Sequence, residues 1–223
     1  NVFKTLFAFK TGNGHFNPVK SYSSIKTEFQ NDDAKKEVSI EDAEKAVKTL
    51  ITWIGDNPDR EGLIDTPKRV VRAFNEHFSG YKENPSEILS KTFKEVQGYD
   101  DIVVLKKIDF ESHCEHHMLP IIGEASIGYL PNKSIVGISK LARIVNTFAK
   151  RLQTQEIMTS QIINAIQENL NPLGVGVVIE AEHHCMKTRG VYKKKSLMRT
   201  SQFKGLFLED EKLRNRFLDF AKD

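Results

Sequence analysis

Long apolar runs are missing from this 223-residue chain, and none approaches the ~20 residues of a bilayer-spanning helix, which excludes a helical membrane protein. Cysteine is scarce: Cys114 and Cys185 are too few for the disulfide framework of a small secreted domain. Surplus charge is small as well. The formal net charge is +3 and resides wholly in residues 1–30, while residues 31–223 balance 29 basic side chains against 29 acidic ones. The basic body of a nucleic-acid binder is therefore lacking. No G-x-x-x-x-G-K-[ST] sequence occurs, which excludes a P-loop nucleotide site, and no internal repeat is visible. What is present, 39% hydrophobic residues in a chain of this length, suffices for a core without disulfides.

Residues 1–36 mix Gly, Ser, Asn and Lys with isolated Phe and show no sustained period, so they read as a flexible N-terminal extension. They lack the segments of a secretory signal and, although poor in acid, contain no Arg of the kind a transit peptide carries. The expected location is cytoplasmic. From Ser39 the chain becomes periodic. Ile40, Ala43, Ala46, Val47, Leu50, Ile51 and Ile54 sit at helical spacing behind a Ser39/Asp42 capping box. Thr66-Pro67 opens a second helix, cap then proline. Strand-like stretches follow at Ile102–Leu105 and Ile121–Leu130. Ser139 then reads as the cap of a helix carrying Leu141, Ile144, Val145, Phe148 and Leu152. A helix over 156–170, strands over 176–183 and 203–208, and a closing helix over 209–221 complete the pattern. Helices lead and the βαβ alternation is irregular, which argues for α+β with an antiparallel sheet.

Histidine and cysteine are distributed unevenly. Both Cys and five of the seven His fall in two windows, His113-Cys114-Glu115-His116-His117 and His183-His184-Cys185. Cys114 and His117, three apart, share one side of a helical turn. At a strand end, His183 and Cys185 share a face while His184 points away. Two thiolates and one imidazole make a three-ligand zinc site with an open fourth position, the pattern of a catalytic zinc. His116 or His183 as a fourth ligand would instead close the site into a structural one. An open zinc brings the pKa of water to about 7, and the spare His116 and His183 would then serve as general acid/base groups. His113 and His184 read as surface or supporting residues, and Glu115 as a group able to orient an imidazole. Lys193-Lys194-Lys195 reads as a solvated strand or loop.

These residues resemble a family. Cys114-Glu115-His116-His117, Gly128-Tyr129-Leu130-Pro131, Gly137 to Arg143, Gln153 to Glu156, His183 to Gly190 and Asp65 to Arg69 together look like GTP cyclohydrolase I, over about residues 37–223. The resemblance implies a zinc enzyme (Zn2+ on Cys114, His117 and Cys185) that converts GTP and water to 7,8-dihydroneopterin triphosphate and formate, the first step of tetrahydrofolate and pterin biosynthesis. It implies proton transfer by His116 and His183, a role for Ser139 near the ribose, and guanine recognition by the Glu156 carboxylate with Gln155 as companion. Lys140, Arg143, Arg189 and, less securely matched, Arg69 would meet the triphosphate, Arg by bidentate pairing and Lys as a point charge. The implied architecture is the tunnelling fold, an antiparallel four-stranded sheet with two helices packed on it, preceded by N-terminal helices. The implied assembly is a homodecamer, a dimer of pentamers with active sites between subunits. Two other readings stay open: a structural zinc protein, against which the three cations at 140, 143 and 189 argue, and a related pterin or deazaguanine enzyme of the same fold. Sibling reductases of that kind use a nucleophilic Cys, whereas both Cys here are taken as ligands.

Overall fold

The structure, a computed structural model, describes residues 38–93, 99–132 and 134–222. The extension expected over 1–36 lies outside the described residues. Helix α1 (Ile40–Trp53) starts where Ser39 Oγ accepts the Asp42 N–H at 3.1 Å. The helical period expected there holds, but part of its apolar stripe has no cover among the described residues. Ile51 is buried, whereas Leu50, Trp53 and Ile54 are 59%, 81% and 69% exposed. Helix α2 (Thr66–His77) has Asp65 rather than Thr66 at its cap position, with Pro67 in the first turn. A short helix α3 (Pro85–Leu89) follows.

Among the described residues a two-residue pair, β1 (Thr92–Phe93) with β4 (Ile135–Val136), stands beside one five-stranded sheet. Its long strands are β2 (Val103–Cys114), β3 (Pro120–Leu130), β6 (Gly174–His183) and β7 (Met198–Gly205), antiparallel in that order. The fifth, β5 (Leu152–Gln153), adds in parallel beside the end of β2. Leu152, expected in a helix, thus ends up in this edge strand. Helix α4 (Ile138–Ala149) begins behind Gly137 with no side-chain cap, so Ser139 lies inside the first turn instead of capping it. Its face of Leu141, Ile144, Val145 and Phe148 is buried on the sheet. Helix α5 (Gln155–Leu170) is capped by Thr154, whose Oγ1 accepts the Ile157 N–H at 3.3 Å, and ends in left-handed Asn171.

Strand β6 is buried on both faces because helices lie on both. Val175, Val177, Ile179 and Ala181 point toward α4 and α5, and Val178 points the other way. That second face is covered by α7 (Leu206–Glu209) and α8 (Glu211–Ala221). Phe217 of α8 settles over Gly128 and Gly176, which pair across β3 and β6. A Cβ on Gly128 would sit 2.3 Å from the Phe217 ring, and one on Gly176 2.8 Å from it, so both positions must lack a side chain. The sequence expectation of a last strand over 203–208 is displaced. Strand β7 already begins at Met198, and residues 206–209 turn helical.

Register decides what this fold positions. Cys114 ends β2, Ile121 near the start of β3 pairs with His183 at the end of β6, and Ala181 pairs with Met198 at the start of β7. The residues of both Cys/His windows are therefore delivered to one end of the sheet.

Candidate metal centre and surrounding site

Between β2 and β3 the chain reverses in five residues. The Met118 N–H donates to Cys114 O at 2.8 Å, the Cys114 N–H donates to Leu119 O at 2.8 Å, and Met118 takes a left-handed φ of 53°. This turn swings His117 back over Cys114, leaving His117 Nδ1 3.8 Å from Cys114 Sγ. The third member arrives from elsewhere. Strand β6 stops at His183, and His184–Lys187 form a helical turn, α6, that carries Cys185. The alternating-face argument for His183 and Cys185 therefore fails, since Cys185 sits on a turn and not on a strand. It converges all the same: the ligand atoms of Cys114, His117 and Cys185 lie within 4.8 Å of one another.

The donor chemistry and spacing fit zinc. With zinc–sulfur near ~2.3 Å and zinc–nitrogen near ~2.0 Å, tetrahedral donors lie roughly 3.5–3.8 Å apart. The Cys114–His117 pair already meets that value, and no separation within the trio exceeds 4.8 Å. Burial first, then neighbouring Cys114, push the Cys185 thiol above its ordinary value, with Arg189 opposing. A metal cation would reverse that direction by favouring the thiolate.

Around the trio stand the expected proton carriers. His116 is exposed, with Nδ1 3.7 Å from Cys114 Sγ and Nε2 3.6 Å from Glu115 Oε1, so Glu115 does adjoin an imidazole. His183 is half-buried, its Nε2 2.8 Å from Gln155 Oε1. Burial holds His183 below the usual histidine value, and the nearby Glu156 carboxylate works against it. Glu156 lies exposed in the first turn of α5, where the helix dipole favours a carboxylate.

A sequence model of the GTP cyclohydrolase I family matches residues 43–222. The chain belongs to the GTP cyclohydrolase I family. It is 59% identical over 196 residues to the GTP cyclohydrolase 1 of Hyphomonas neptunium, covering 88% of this chain and 95% of that one. The enzyme of the same name from Maricaulis maris is 56% identical over 180 residues, covering 81% and 88% of the two chains. Among solved structures, a QueF-like archaeosine synthase in its apo form aligns at a TM-score of 0.40 and 18% identity, covering 47% of this chain and 94% of its own.

Within this member of the family the remaining candidates divide. Arg189 is exposed beside the trio, its Nη1 2.8 Å from His117 Nε2. Lys140 and Arg143 instead line an open cavity of about 520 Å3 with Lys82, Glu87 and Lys91, and none of the trio lines it. Ser139 is exposed on the first turn of α4. Arg69 is exposed and pairs with Asp65 at 3.5 Å, and no ion pair or hydrogen bond among the described residues joins it to the trio. Gln155, expected as the companion of Glu156, turns its side chain inward. It is fully buried, and its amide N–H groups face Ile179 O, Met198 O and Thr200 Oγ1, each at 3.1 Å, which leaves no side-chain donor for a bound base. Thr159 and Thr200, which frame that amide, carry no motif and were invisible in the sequence. His113 was read as a surface or supporting residue. It is buried, packed on His77 at 4.7 Å and Phe78 at 5.3 Å between ring centres. The lysines at 193–195 do lie in an exposed loop.

Proposed function

We propose that this chain is a zinc-dependent GTP cyclohydrolase I built on the tunnelling fold, with Cys114, His117 and Cys185 as the metal ligands. As a member of that family it is a hydrolase acting on GTP. The reaction opens the imidazole ring of guanine with water, releases C8 as formate and recloses the rearranged chain as 7,8-dihydroneopterin triphosphate. The single observation that carries the reading is the convergence of two thiols and one imidazole at a sheet end that also holds two further histidines and a carboxylate. Zinc bound there would supply an activated water and a Lewis acid at neutral pH.

The other steps fall to the chain's own groups. His116 and His183 move protons at the opening ring, His116 from an exposed turn and His183 from a half-buried position fixed by Gln155. The Glu156 carboxylate accepts from two adjacent guanine N–H groups, a bidentate contact that aims C8 toward the trio. Arg189 is placed to neutralise phosphate beside the site, and Ser139 is assigned to the ribose. Lys140 and Arg143, on a cavity whose lining omits the trio, support a site completed by a second copy of the chain. The uncovered stripe of Leu50, Trp53 and Ile54 on α1 supports assembly as well, here read as a homodecamer.

The deciding experiment incubates the zinc-loaded protein with GTP and follows formate together with a fluorescent oxidised pterin. Equimolar appearance of both is expected. Their absence from protein carrying stoichiometric zinc would sink the assignment. No helix among the described residues is long and apolar enough to cross a membrane.

A further inference from the structure

The surroundings of Gln155 fix more than the place of one side chain. An amide can sit either way round, but three neighbours decide this one. Ile179 O and Met198 O are backbone carbonyls and only accept, so the amide atom 3.1 Å from both must be the N–H group. The hydroxyls agree. Thr159 Oγ1 lies 2.7 Å from Gln155 O, a carbonyl, so the Thr159 proton is donated there. Thr200 Oγ1, 2.8 Å from Thr159 Oγ1, must then donate to Thr159, and so it presents a lone pair to the Gln155 amide at 3.1 Å. These contacts run in one direction around a ring: amide N–H to Thr200, Thr200 to Thr159, Thr159 back to the Gln155 carbonyl. Gln155 Oε1 is thereby turned to His183 Nε2 at 2.8 Å, and an amide oxygen can only accept.

We propose that Gln155 is a positioning residue that holds His183 with its proton on Nε2, leaving Nδ1 as the lone-pair nitrogen offered to the reacting ring. The proposal rests on the reading of His183 as a proton carrier and deepens it by naming which nitrogen does the work. It also takes the Gln155 side chain out of substrate recognition. A fully buried amide whose donors face three protein acceptors guides an imidazole; it does not read a base. Thr159 and Thr200, remote in sequence, join the site as the groups that keep the amide from turning over.

Neutron diffraction from deuterium-exchanged crystals of the native, zinc-loaded protein reads the arrangement directly and needs no variant to fold. One deuteron on His183, on Nε2 and directed at Gln155, is expected. A deuteron on Nδ1 with Nε2 bare, or deuterons on both, overturns the proposal. Kinetics supply the second arm. Gln155→Leu should lower kcat by ~10²-fold with KM for GTP and zinc content unchanged, since a histidine in the wrong tautomer loses catalysis without losing binding. The double variant Gln155→Leu/His183→Ala should be no slower than His183→Ala alone, because Gln155 acts only through that ring. A further multiplicative loss in the double variant would assign Gln155 a role of its own and overturn the proposal. The underlying reading fails separately: His183→Ala turning over GTP at the native rate would remove the proton carrier whatever the neutron map shows.

Discussion

The expected ligands and proton carriers crowd one end of the sheet, and substituting them one at a time should separate them. The structure makes the contest close: Cys114 Sγ lies 3.7 Å from His116 Nδ1 and 3.8 Å from His117 Nδ1, so distance alone does not choose the metal-binding imidazole. Position chooses it, because His117 also approaches Cys185 and completes the trio. His117→Ala, Cys114→Ser and Cys185→Ser should therefore each empty the site, the serines because a hydroxyl replaces a thiolate that zinc prefers. His116→Ala and His183→Ala should keep zinc and turn over GTP ~10²–10⁴-fold more slowly. Stability should part the last two. His116 is exposed, and its truncation should shift stability by no more than about 0.5 kcal/mol. His183→Ala strands the buried Gln155 Oε1 without its donor, a cost of ~1–3 kcal/mol. At about 2–4 °C per kcal/mol for a chain of this size, that is a melting point lowered by roughly 2–12 °C. Metal analysis by mass spectrometry, single-turnover product analysis and a thermal melt on each variant complete the set. Loss of zinc from His116→Ala would refute the reasoning, since the site would then be closed by a fourth protein ligand.

Three further outcomes are expected. Glu156→Gln should weaken GTP by a mismatch of ~1–3 kcal/mol while zinc content holds, because an amide donor then faces a guanine N–H; unchanged affinity in a binding titration would mean that another group reads the base. Burial first, then the charges of His77 and Lys150, hold buried His113 below its ordinary value, so the unfolded chain takes up the proton first as pH falls. Stability should thus be intact above about pH 6.5 and decline below it, and His113→Phe, which replaces a buried Nδ1 lacking any partner, should flatten that decline in melts between about pH 7.5 and 5.5. Light scattering should give an assembly far above the 25.4 kDa of one chain, whereas a fully active monomer would contradict a site shared between copies.

How far the sequence reached depends on the range of the forces involved. Local signals were readable: the Ser39 cap, the helical period behind it, the Cys114-to-His117 turn and the apolar run of β6 all depend on neighbours a few residues away. Strand β7 was misplaced because Met198 to Gly205 alternates weakly, being an edge strand with half-buried residues on both sides. Strand β2 extends far beyond Leu105 through a bulge at Lys107, where φ is 54° and the polar pair Lys106-Lys107 masks continuity. Cys185 joins Cys114 and His117 by another route than strand alternation, since nothing local announced that His184 would leave the strand. The Gln155 network could not be read at all, because its acceptors lie 24 to 45 residues away and meet only through β6 and β7.

The hollow formed by Gly128 and Gly176 gives the order of synthesis a physical meaning. Strands β2, β3, β6 and β7 all leave the ribosome before α8, so the sheet can form while the hollow beneath Phe217 is still open. Until α8 arrives, Ile102, Val178 and Phe203 have only Phe207 of α7 over them, which leaves an adhesive surface of the kind that holds nascent chains on chaperones or drives them together. A message broken ahead of residue 211 would release a chain with Cys114, His117 and Cys185 in place and its second core covered by α7 alone. Such a fragment would be sorted by its stickiness and not by its chemistry, and the pair of glycines that makes Phe217 fit is what makes its absence conspicuous.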